Sequence, residues 1–112
     1  MGLFSLFSKD VVDEEKLAKE KVGKIAKEAI PAILSANKKL EGEVFKLLDK
    51  DYCKKVFNLN FPVLVSEKAE YDKSRYYTDS IKINGSAYKL CSQWFDKDRE
   101  KLMAWIKKNN KQ

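Results

Sequence analysis

Histidine is absent from the 112 residues, and cysteine occurs only twice, at Cys53 and Cys91. The first absence removes every triad that relies on an imidazole, and any histidine general acid or base. With two cysteines and no histidine, the usual zinc ligand sets cannot be assembled within the chain. Arginine is scarce too: only Arg75 and Arg99 stand among 23 basic residues, so the planar fork that reads guanine and phosphate is nearly missing. The glycines Gly2, Gly23, Gly42 and Gly85 are isolated from one another; no phosphate-cradling loop is available, and no cofactor is expected. No apolar run approaches the ~20 residues that cross a bilayer. An acidic cluster begins at Asp10, where a secretory signal would carry its apolar stretch and cleavage site, so the expected compartment is cytoplasmic. In that compartment, with apolar and aromatic neighbours on each side, both cysteines read as free buried thiols.

What is present suits one α+β domain over residues 1–112. Hydrophobic residues make up 44% of the chain and include six Phe, five Tyr and two Trp, enough for one core, while a 36% charged fraction solvates the surface. The net charge of +6 is unevenly spread. Residues 1–37 are neutral, residues 38–60 carry +2, residues 61–95 carry +1 and residues 96–112 carry +3. The excess therefore gathers towards the C-terminus.

Residues 1–10 read as a loose or docking segment with Leu3, Phe4, Leu6 and Phe7 in about one helical turn. Leu6 occupies the place where an N-myristoylation motif needs Ser or Thr. From Asp13, a capping residue, apolar positions recur at helical spacing through Ala18, Val22, Ile25, Ala26 and Ala29, with Glu15/Lys19 and Glu20/Lys24 as i,i+4 pairs. Pro31 should end or kink that helix near Ile30, leaving a short turn from Ala32 to Ala36. A second helix is expected from Leu40 to Lys50, restarting at Asp51 as a cap. Phe61 to Val65 reads as a short strand and Ser66 to Ser74 as a loop. The strongest local signal is Asn84-Gly85, a two-residue hairpin turn that pairs Ile83 with Ser86, Ile81 with Tyr88 and Asp79 with Leu90. Lys82, Ser80, Lys89, Ala87 and Cys91 then fall on the wetter face. A closing helix from Asp96 to Lys108, capped by Asp96, packs on the resulting sheet of about three antiparallel strands, and Asn109 to Gln112 fray.

No catalytic constellation emerges, and an enzyme is not expected. Ser35, Ser80 and Ser92 lack a base, the pairs Asp49/Asp51 and Asp96/Asp98 read as helix ends, and the Glu67 to Lys73 run is too loose for a nuclease. Cys91 would need a cation to activate it, yet Asp96 follows. The informative series is Arg75-Tyr76-Tyr77, Lys82, Tyr88-Lys89, Trp94-Phe95 and Arg99, in which cations suit phosphates and rings suit exposed bases. Alternate strand positions must also face a core, so the same rings serve packing. The leading expectation is a binding or accessory module acting through the hairpin and C-terminal helix. Its binding residues are Arg75, Tyr76, Lys82, Lys89, Trp94 and Arg99, and its partner is nucleic acid or an acidic protein surface. The alternative is a protein-interaction or regulatory domain using the amphipathic segment 3–30. A third reading is an enzyme subunit completed by another chain.

Overall fold

The computed structural model describes residues 10–111; the Leu3 to Phe7 cluster and the last position lie outside them. Asp13 caps α1 (Glu14–Leu17), its side chain accepting the Lys16 amide at 3.2 Å. The single helix expected onwards to Ile30 is broken. Lys19 and Glu20 donate to Lys16 and Leu17, three residues back, which tightens and ends the turn. Lys21 is extended and starts α2 (Val22–Ala36) afresh. Glu15 and Lys19 consequently form no pair, whereas Glu20 and Lys24 do, at 3.2 Å. Helix α2 also runs past Pro31 instead of ending near Ile30. The proline removes one hydrogen bond at a cost of roughly 3 kcal/mol. That cost is outweighed because Ile25, Ala26, Ala29 and Ile30 before it and Ile33 and Leu34 after it are all fully buried on one face.

Asn37 accepts the Lys39 amide at 3.0 Å and opens a 3-10 turn, Lys38–Leu40, leading into α3 (Glu41–Leu47). A break at Leu48 and Asp49 separates it from α4 (Lys50–Phe57). The cap of α4 is Asp49, which takes the Asp51 amide at 3.0 Å, and not Asp51 itself. Asn58 closes α4 in the left-handed region at φ 63°, a conformation asparagine tolerates better than most residues.

Strands β1 (Leu64–Ser66), β2 (Tyr76–Ile83) and β3 (Ser86–Cys91) form an antiparallel sheet in the order β1-β3-β2. The turn is as expected: Asn84 at φ 52° and Gly85 at φ 85° join Ile83, paired with Ser86, and Ile81 is paired with Tyr88. The Asp79/Leu90 pairing does not form. Ser80 faces Lys89 but Tyr76 faces Cys91, so Tyr77, Thr78 and Asp79 bulge opposite Leu90 alone. The bulge seats Tyr77 on α2: a Cβ on Gly23 would lie 3.2 Å from the Tyr77 hydroxyl, and Lys27 Nζ sits 4.8 Å from the ring centroid. Cys91 does not lie on the wetter face: it is a fully buried free thiol, as its apolar neighbours imply, and it donates its amide to Val63 O at 2.9 Å.

A 3-10 turn, Asp96–Asp98, precedes α5 (Arg99–Asn109). The buried Asp98 carboxylate, and not Asp96, accepts the Phe95 amide at 2.9 Å. Helix α5 lies against α1, α2 and α4, and Leu102, Trp105 and Ile106 enter the same core as the sheet. Phe57 stands at the centre of that core, edge-on to Trp94 at 5.8 Å and tilted to Trp105 at 6.2 Å. The end of α5 does not fray. Asn110 is completely buried; its Oδ1 accepts the amides of Val11 and Val12 at 2.8 and 2.9 Å, and its Nδ2 donates to Val12 O and Glu14 Oε2, both at 2.9 Å. Among the described residues no helix is long and apolar enough to cross a membrane.

Candidate functional site

The six residues singled out by sequence do not share one surface. Tyr76 and Trp94 belong to the core: each is only 8% exposed. The Tyr76 hydroxyl donates to Pro62 O at 2.7 Å, and the Trp94 indole N–H donates to Cys91 O at 2.9 Å. Burial pushes the Tyr76 phenol well above its ordinary range. Neither ring offers a face to a base. Lys82 and Lys89 do reach the solvent side of the hairpin, but Lys89 donates to the Thr78 carbonyl within the bulge and Glu67 accepts from Ser80 beside it. That face therefore mixes signs. Lys82 lines a cleft of about 500 Å³ with Ser66, Glu67, Lys68, Ser86 and Tyr88. Arg99 faces another way, donating to Ala18 O at 2.7 Å and pairing with Asp96 at 3.3 Å, where it satisfies a carbonyl exposed by the break after α1. Arg75 and Lys82 sit near opposite ends of β2, roughly 20 Å apart at the rise of an extended strand.

Arg75 is instead brought to two residues distant in sequence. It shares a shallow depression of about 180 Å³ with Phe95 and Lys97, lined further by Phe61, Asn58, Asn60, Gln93 and one acid, Asp98. Loops assemble this site. The chain after α4 supplies Asn58 to Phe61, the 3-10 turn Lys73–Arg75 supplies the arginine, and the approach to α5 supplies Gln93 to Lys97. The guanidinium lies 5.0 Å from the Phe61 ring centroid, a cation-π distance, and its Nε is 3.2 Å from Asp72 Oδ2. Asp72 also takes the Ser74 hydroxyl at 2.6 Å and the Ser74 amide at 3.0 Å; these bonds first, and Arg75 after them, hold its carboxyl below the usual carboxylate range. Lys54 donates to Asn60 Oδ1 at 3.0 Å. Phe95 is 57% exposed, one of two large hydrophobic side chains left outside among the described residues. Sequence reading placed Phe95 in the aromatic series but missed Phe61 and Lys97, because nothing local marks their meeting.

The two thiols are a poor nucleophile pair. Cys53 Sγ donates to Leu47 O at 3.4 Å and accepts the Val63 amide at 3.3 Å, while Cys91 lies on the other side of Val63. Burial pushes Cys53 up to about 11 and Cys91 up to about 12. Folding thus favours the protonated thiols. Their contribution is complete below the unfolded pKa near 9.0 and is lost as the pH rises through about 11 to 12. At neutral pH, iodoacetamide should leave the native protein unmodified and add two groups once denaturant is present, as read by mass spectrometry. Rapid native modification of Cys91 would reverse this reading. Among the described residues no group of three or more acidic or cysteine side chains is placed to hold a metal ion. Compared with known proteins, the chain matches no family model, no curated protein and no solved structure.

Proposed function

We propose that the protein is a non-catalytic binding module that engages single-stranded nucleic acid through the Arg75, Phe95 and Lys97 depression. The observation that carries this is the exposure of Phe95 beside Arg75 and Lys97, with the one acid of the lining, Asp98, buried and spent on the Phe95 amide. The core takes in Phe57, Trp94 and Trp105, so a further ring left in water beside Arg75 and Lys97 is available to stack on a base while its neighbours meet phosphate. Asn60 and Gln93 add donors and acceptors at the rim. Asp72 holds the guanidinium over Phe61, which lowers the entropy lost when the site closes on a partner. The contact surface moves from the hairpin strands to the loops at their base. The alternative of a protein contact through segment 3–30 rests on Leu3, Phe4 and Phe7, which lie outside the described residues; Val22, Ile25, Ala26, Ala29 and Ile30 of that segment are buried.

The test is fluorescence anisotropy of a labelled oligothymidylate titrated with the full chain over a range of salt. Binding should weaken steeply with salt. Phe95→Ala should weaken it by about tenfold, the size of one lost stacking contact. Lys82→Ala, on the other cleft, should leave it nearly unchanged. Salt-insensitive binding, or equal affinities for the wild type and Phe95→Ala, would overturn the proposal.

A further inference from the structure

A second surface, between α4 and α5, has a different chemistry. One oxygen of Glu43 on α3 accepts both the Tyr52 hydroxyl of α4 at 2.5 Å and the Trp105 indole N–H of α5 at 2.8 Å. This carboxylate fixes both rings and with them the floor of a groove of about 370 Å³ between α4 and α5. Val56 and Ala104 complete an apolar floor, and Lys101 and Lys108 stand along one wall. Lys46 Nζ lies 5.7 Å from the Tyr52 ring centroid. None of Lys46, Lys101 and Lys108 pairs with a carboxylate among the described residues; Glu100 is the one acid lining the groove.

This surface suits a helix better than a base. Trp105 is only 3% exposed and packs on Phe57, and the polar atoms of both floor rings are already spent on Glu43. The Trp105 face is closed to a base, and neither ring keeps an unspent donor for nucleobase recognition. What is left is an apolar trough between two helices, about two helical turns long from Lys101 to Lys108, beside unpaired cations. Apolar anchors at i, i+3, i+4 and i+7 fill such a trough, and acidic flanks answer the lysines. We infer that the groove between α4 and α5 docks an acidic amphipathic helix of a partner protein.

The experiment uses the 15N-labelled full chain and two synthetic peptides with leucine at the i, i+3, i+4 and i+7 positions, one flanked by glutamate and one by lysine. The glutamate peptide should shift the amide resonances of Tyr52, Val56, Lys101, Ala104 and Lys108. The double variant Lys101→Glu/Lys108→Glu should weaken it by about tenfold or more and admit the lysine peptide. Ala104→Gln, which fills the trough without changing charge, should weaken the glutamate peptide on an unaltered free spectrum. Equal binding of the two peptides to the wild type, shifts centred on Phe95, no binding, or stronger shifts of the groove amides by a single-stranded oligonucleotide would each overturn the inference.

Discussion

Phe57→Ala is expected to destabilise the protein by about 3–5 kcal/mol, the cost of removing a large buried aromatic and leaving a cavity. Phe57 is wholly buried at the end of α4 and touches the only two tryptophans, one edge-on and one tilted. Its loss strips contacts from Trp94, just after β3, and Trp105 on α5 together. Small domains hold roughly 5–15 kcal/mol in all, so this one change removes a large share. Urea denaturation followed by tryptophan fluorescence reports it directly, because both emitters flank the site. The midpoint should fall with little change in slope, and Phe57→Leu should recover more than half of the loss. A decrease below about 1 kcal/mol would mean that the core collapses around the vacancy or that Phe57 is not its centre.

The second large effect is expected at Asn110. Truncation to alanine leaves the amides of Val11 and Val12 and the carbonyl of Val12 without their partner. The penalty should be about 2–3 kcal/mol, tempered by water reaching the partly buried valines. Asn110→Asp discriminates between hydrogen bonding and shape. It retains the acceptor for both amides but turns the donor edge into an oxygen facing Val12 O and the Glu14 carboxylate. A carboxyl placed there ionises reluctantly, so its folded pKa is raised. The variant's deficit should be greatest near neutral pH and shrink as the solution is acidified through the carboxylate range. Thermal unfolding of both variants at two pH values measures this, and a pH-independent deficit for Asn110→Asp would contradict this pattern of donors and acceptors around Asn110.

Local chemistry explains which parts of the fold were legible in the sequence. The Asn84-Gly85 turn, the cap at Asp13 and the apolar spacing of α2 are each decided within a few residues, and the structure agrees with them. Readings failed where distant residues decide the outcome. Pro31 is tolerated because α2 is buried on both sides of it; the α1 break is stabilised by Arg99, 81 positions away; and the β2 bulge exists because Tyr77 packs on α2 at Gly23. Asn110 looked like part of a polar tail because its partners are 98 and 99 positions earlier. The site shows the same division. Alternation along β3 and the residues after it cannot tell that Trp94 folds back onto Cys91 O while its neighbour Phe95 stays outside. Arg75 was found by type, but its companions Phe61 and Lys97 come from loops whose meeting only the tertiary structure specifies.

The bulge in β2 has a consequence for self-association. A three-stranded sheet leaves two borders open, and an eight-residue outer strand of even geometry would invite a further strand from another molecule. Here Tyr77 to Asp79 break the even spacing of that border, the Lys89 ammonium occupies the Thr78 carbonyl, and the Ser35 hydroxyl on α2 reaches the Lys82 carbonyl at 3.4 Å. Asp79 and Lys82 add opposite charges along what remains. Irregularity and occupied acceptors together make β2 a poor template for sheet extension.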